Sequence, residues 1–86
     1  MDKLDKGDKG IDIREYFAEH APEEYAKPLV NMASSQMWRA GAETMDILCN
    51  MTVVEIIKTR NIGEKSRELV LLMRKKYATE NQIALK

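Results

Sequence analysis

Gly41, Thr44, Thr52 and Gly63 punctuate residues 39–66 (RAGAETMDILCNMTVVEIIKTRNIGEKS) and leave room between them only for short helices joined by turns. Thr44 and Thr52 are residues whose hydroxyls can accept from the unpaired N–H groups of a helix start. Thr52 also has Glu55 three positions on, the spacing of a reciprocal capping box. The stretch therefore reads as a short helix, a turn, a second helix, a tight hairpin around Asn61-Ile62-Gly63, and the start of a third helix. Val53, Val54, Ile56 and Ile57 are expected on the buried side of the second helix. Gly63 is expected to supply the positive φ of the hairpin.

The flanks continue the helical pattern. Asp12 has N-cap character, with Glu15 at capping-box spacing, ahead of a helix from Ile13 to His20 whose apolar face is Ile13, Tyr16 and Phe17. Pro22 suits the first position of a second helix, with Glu23 and Glu24 favourable to its dipole. That helix is expected to run from about Pro22 to Arg39, kinked or split at Pro28, with Gly41 as its C-cap. The last helix should run from about Glu64 to Ala78. No segment alternates long enough for a strand. The expected fold is all-α: a compact domain of four to five helices over residues 11–80. Residues 1–10 are expected to be a flexible tail and residues 81–86 a C-terminal one.

Eighty-six residues with 44% apolar and 33% charged side chains describe one small globular domain. No apolar run approaches the about 20 residues of a membrane helix. The N-terminal MDKLDKGDKG lacks a signal-peptide core, and Cys49 is the one cysteine, so a reducing cytoplasm is the expected location. Residues 1–27 carry three more acidic than basic side chains, and residues 28–86 three more basic than acidic ones. That bias is small for a nucleic-acid domain, so any DNA binding is expected to be weak for the chain alone, or accessory to a larger body.

Chemistry by side chains is poorly supported. One His and one Cys stand far apart in sequence, no Walker-type loop is present, and no Cys/His pair has metal-ligand spacing. Cys49 lies among apolar residues, which makes it an inert buried thiol, and His20 sits where a helix C-terminus favours a cation. The chain reads as no enzyme, with no cofactor and no metal.

The binding features each admit two readings. The hairpin can turn N–H groups outward at a helix N-terminus and hold a phosphate, or it can be a tight turn alone. Lys58, Arg60, Lys65 and Arg67 can add positive field, or they can be a solvated surface, since Glu55, Glu64 and Glu68 stand among them. The run Leu69-Val70-Leu71-Leu72-Met73 covers every face of a helix. Either the helix is central and buried, or Leu71 and Leu72 meet a partner or a second copy. Met32, Met37, Met45, Met51 and Met73 read as core filler, and Trp38 as a partly buried residue rather than a stacking platform.

Residues 39–77 resemble the C-terminal domain of the bacterial RNA polymerase alpha subunit. The residues that carry the likeness are Arg39-Ala40-Gly41, Thr44, Met51-Thr52, Ile57-Lys58 and Arg60-Asn61-Ile62-Gly63-Glu64-Lys65-Ser66, at the family's spacing and without a gap. The resemblance implies a helix-hairpin-helix unit, DNA binding at A·T-rich minor grooves, and contact with transcription proteins. It assigns a backbone N–H to Gly63, a charge to Lys65 and a hydroxyl to Ser66 as DNA contacts, with Arg60 and Asn61 completing the nucleic-acid-binding set. Four positions depart from the family's pattern. The family's groove-entering Arg and Asn fall on Met32 and Ser35, its Cys on Gln36, and an acidic position on Leu69. Residues 1–38 do not resemble the family's preceding segment, so the likeness implies a free-standing derivative of the kind a mobile element or phage encodes.

The expected function is accordingly a non-enzymatic, transcription-associated DNA-binding module that contacts the backbone through its hairpin. The alternative is a protein–protein interaction module that kept the fold and lost DNA binding. The expected partners are DNA or a transcription-associated protein, with a homodimer as a further option and no membrane.

Overall fold

The caps set the helix starts. In the computed structural model, which describes residues 10–85, the Asp12 carboxylate accepts from the N–H groups of Arg14 (2.8 Å) and Glu15 (3.3 Å) and opens α1 (Ile13–His20). This is the Asp12 half of the expected box. Ile13, Tyr16 and Phe17 form its buried face, as expected. The tail expected over residues 1–10 lies, except for Gly10, outside the described residues.

The second helix corrects its expectation. Residues 22–25 form a turn closed by Tyr25 N–H to the Pro22 carbonyl (3.1 Å), and α2 spans Lys27–Arg39. Pro28 sits in its first turn rather than kinking its middle, because there the missing N–H has no intrahelical partner to lose. At the other end Ala40 is the cap and Gly41 follows it at φ +107°. Ala42 N–H reaches the Met37 carbonyl (2.9 Å) and Gly41 N–H the Trp38 carbonyl (3.1 Å). That paired closure needs a left-handed residue, which explains the glycine.

Thr44 and Thr52 behave as read. Thr44 Oγ1 accepts from Ile47 N–H at 3.3 Å to start α3 (Met45–Asn50). Thr52 and Glu55 make both halves of a capping box (3.1 and 2.8 Å) at α4 (Val53–Ile57). The final helix, α5 (Glu64–Asn81), ends one turn later than expected, at Gln82 with φ +55°. Among the described residues there are five helices and no strand; the fold is a compact all-α domain. One isolated bridge joins Asp12 to Thr44. Its flanking bonds run from Ile13 N–H to Glu43 O (3.0 Å) and from Met45 N–H to Ile11 O (2.9 Å), so the starts of α1 and α3 hold each other.

The core lies between α5 and the other helices. Phe17, Met37, Met45, Leu48, Ile56, Leu69, Val70 and Met73 are fully buried. Two expectations about apolar residues fail. Only Ile56 of α4 is buried, while Val53, Val54 and Ile57 remain 38%, 57% and 46% exposed, because a helix of five residues presents one contact face. Met32 is 49% exposed, on the side of α2 away from Val30, Ala33 and Met37. The apolar run on α5 is buried at Leu69, Val70 and Met73, half-buried at Leu71 and bare at Leu72.

Polar contacts fix the C-terminal half of α5. The Tyr16 hydroxyl donates to Glu80 Oε1 (2.8 Å), and burial together with that carboxylate pushes its pKa well up. Tyr77 packs edge-on against Tyr16 at 5.2 Å between centroids. Burial, and next the Asp46 carboxylate, push its phenol up to about 12. Arg74, 4% exposed, donates Nη2 to the Met51 carbonyl (2.9 Å) and so holds the link between α3 and α4.

Candidate nucleic-acid interface

The segment between α4 and α5 is built by backbone closure. Lys58 N–H returns to the Val54 carbonyl (3.0 Å) and Thr59 N–H to the Ile56 carbonyl (3.1 Å). Thr59 Oγ1 donates to the Glu55 carbonyl (3.2 Å). The chain then reverses at Asn61, whose φ is +62°. Asparagine tolerates that left-handed conformation better than other non-glycine residues. Gly63, expected to supply the positive φ, instead has φ −80° and ψ 172° and serves as the N-cap of α5. The reversal therefore depends on Asn61, and Gly63 has a different role.

That role follows from what Gly63 lacks. The start of α5 has no side-chain cap, so its first-turn N–H groups have no side-chain acceptor. Nothing stands within 4 Å of where a Cβ on Gly63 would lie. Gly63, Glu64 and Lys65 are all exposed. The uncapped N-terminus of an 18-residue helix thus opens outward, with partial positive charge from its dipole.

Beside it lies a depression of about 290 Å³ lined by Gln36, Arg39, Ala40, Thr59, Arg60 and Asn61. A second one, of about 360 Å³, shares Gln36 and Arg39 and adds Asn31, Met32 and Ser35. The face of α2 and the turn thus form one surface. Gln36 Nε2 donates to the Asn61 carbonyl at 2.6 Å and ties the two together. Among the described residues neither Arg39 nor Arg60 forms an ion pair.

Lys65 is less available. Its Nζ lies 3.9 Å from Glu68 Oε2 and 5.6 Å from the centroid of the Tyr25 ring. The Tyr25 hydroxyl donates to the same Glu68 oxygen (2.6 Å), which raises the phenol to about 12, with burial as the next cause. Glu68 thus draws on the Lys65 charge and offsets part of its field.

Of the five residues read as nucleic-acid contacts, Arg60, Asn61, Gly63 and Lys65 are exposed on this one end of the molecule. Ser66 is the exception: it is 1% exposed, its side chain turned into the protein one position past Lys65, so its hydroxyl is not offered to a ligand. Arg39, which is not among those five, lines both depressions. Its signal is the spacing 32, 35, 36, 39, which is a single face of a helix. Of the two residues read as partner contacts, Leu72 is 40% exposed and Leu71 half-buried.

Little else invites chemistry. Cys49 is 1% exposed and its Sγ donates to the Arg74 carbonyl (3.6 Å), while burial pushes its thiol pKa up. Among the described residues no group of His, Cys, Asp and Glu could hold a metal ion, and no helix is long and apolar enough to cross a membrane. Comparison with protein-family models, curated proteins and solved structures finds no match to this chain.

Proposed function

We propose that this chain is a non-enzymatic, transcription-associated DNA-binding module that holds the DNA backbone where α4 turns into α5. One observation carries the reading: the α5 N-terminus is uncapped and open at Gly63, with Arg60 and Arg39 beside it and free of ion pairs among the described residues. A phosphate there accepts from backbone N–H groups and meets the guanidinium groups from one side. The turn then acts as a helix-hairpin-helix unit, as in the RNA polymerase alpha C-terminal domain that residues 39–77 resemble. Binding of this kind is weak, tolerant of sequence and sensitive to salt, because phosphates rather than base edges are engaged.

A second reading, a protein partner at the same end, is favoured by Met32. It stands where the resembled family carries a groove-entering Arg, and it is 49% exposed on the surface that DNA would meet. Methionine cannot read the negative potential of a narrow minor groove, but it adapts to apolar protein surfaces.

Titration of a labelled A·T-rich duplex and a G·C-rich duplex, at low and moderate salt, separates the two. The DNA reading expects binding that weakens with salt, with each phosphate contact contributing about −0.9 to the logarithmic slope. Arg60→Ala should lower affinity for both duplexes alike and reduce that slope by about one. Absence of binding even at low salt sinks the DNA reading and leaves the protein partner.

A further inference from the structure

Lys65 differs from Arg39 and Arg60 in having an acidic neighbour. It is the second residue of α5 and lies one turn before Glu68, with its Nζ 3.9 Å from Glu68 Oε2. Between two exposed side chains such a pair is weak, because each long chain gives up rotamer freedom to hold it. Here one partner is already held. Tyr25 is 7% exposed, and its hydroxyl donates to the same Glu68 oxygen at 2.6 Å. That hydrogen bond, then burial, push the phenol up to about 12, so it remains the donor at neutral pH. Tyr25 is itself set by the turn that closes from its N–H to the Pro22 carbonyl (3.1 Å). The carboxylate is thus tied to a buried ring, and the same ring lies 5.6 Å from the Lys65 ammonium.

We propose that Glu68, anchored by Tyr25, competes with the DNA backbone for Lys65 and holds the affinity of the site below what its cations would otherwise give. The inference rests on the DNA reading above and names a restraint within it. A phosphate that approaches Lys65 meets an ammonium already answered by a carboxylate, so little is gained by neutralising it there. Arg39 and Arg60, which form no ion pair among the described residues, carry the phosphate contact. Lys65 joins them only when the Glu68 charge is removed or displaced. Lys65 therefore contributes little to binding in the wild type, although it stands at the start of the helix that holds the phosphate.

Duplex titration of the full chain over a range of salt, with Glu68→Gln, Lys65→Ala and the two combined, tests it. Glutamine keeps the shape of Glu68 and still accepts from the Tyr25 hydroxyl. Both positions are exposed, so unchanged circular dichroism and thermal midpoint keep folding out of the comparison. Glu68→Gln should tighten binding about two- to fivefold, the size of an exposed ion pair. It should also steepen the logarithmic salt slope by about 0.9, the mark of one further phosphate contact. Lys65→Ala alone should change affinity little, and in the double variant the whole gain should disappear. Tyr25→Phe keeps every charge and frees the carboxylate, so it should tighten binding by a smaller factor. A gain that persists in the double variant means that Glu68 acts by its field alone, and overturns the proposal. So does wild-type binding that neither Glu68→Gln nor Tyr25→Phe tightens, in which case the DNA reading stands. Absence of binding by the wild type and every variant at low salt overturns both.

Discussion

Gln36 donates its side-chain amide to the backbone carbonyl of Asn61 across 2.6 Å, joining α2 to the turn before α5 over 25 positions of sequence. At the other end of the same amide, Gln36 Oε1 is buried and has no hydrogen-bond partner among the described residues. The bond that aligns the two halves of the candidate interface is thus made at the expense of an orphaned acceptor.

Replacing Gln36 with Met removes both. The lost bond costs about 1 kcal/mol, and relief of the buried acceptor returns a similar amount. Chemical denaturation should therefore show a change within about 1 kcal/mol. Amide exchange around residues 61–63 should nonetheless quicken, and affinity for a duplex should fall, because the turn loses its link to the Arg39 face.

Gly63 offers a cleaner separation of stability from binding. Its φ and ψ suit any N-cap residue. Gly63→Asp supplies the missing side-chain cap and a favourable charge at the dipole, and it also narrows the unfolded ensemble. Together these should add about 0.5–1.5 kcal/mol. The midpoint of thermal unfolding should rise by several degrees. The same carboxylate occupies the place proposed for a phosphate, so duplex binding should be lost. A variant that is stabilised and still binds DNA rejects the phosphate site.

Asn61 is where backbone strain is held. A β-branched residue at φ +62° is poorly tolerated, and Asn61→Val should cost about 1–2 kcal/mol. Asn61→Gly should be nearly neutral, since glycine adopts the left-handed region without penalty. Equal losses in the two variants would mean that the side chain, not the backbone, matters there.

The Tyr16–Glu80 contact gives the fold a pH dependence. The Tyr16 hydroxyl, then Lys76, hold the Glu80 carboxyl below its ordinary value. A depressed carboxylate contributes stability that is present above its unfolded-state pKa of about 4.3 and is lost as pH falls through the folded value. Wild type should therefore melt above Glu80→Gln at pH 7, and the two midpoints should converge towards pH 3. A gap that stays constant with pH would assign the effect to shape rather than charge.

Local chemistry made much of this protein legible from its sequence. The starts of α1, α3 and α4 follow from Asp12, Thr44 and the Thr52–Glu55 pair, whose caps involve residues two or three positions apart. The all-α character, expected as four to five helices, follows in the same way. Where local signals competed, they misled. Pro22 and Pro28 both suit a first helical turn, and only the packing of α2 on α1 and α5 selects the second. Gly63 looks like the residue of a tight turn because glycine permits positive φ, yet Asn61 provides it and glycine's use is to leave a helix end uncapped.

The candidate interface divides along the same line. Arg60, Gly63 and Lys65 belong to one short segment and were readable together. Arg39 and Gln36 join them only because α2 and α5 pack against each other and bring distant residues onto one surface. The burial of Ser66, the bare stripe on α4 and the sharing of Glu68 between Lys65 and Tyr25 were likewise decided by tertiary packing. Residue type and spacing specify what a side chain can do and which neighbours in its own helix it faces. Which sides of the helices are covered, and which charges are already answered, depends on contacts between segments far apart in the chain.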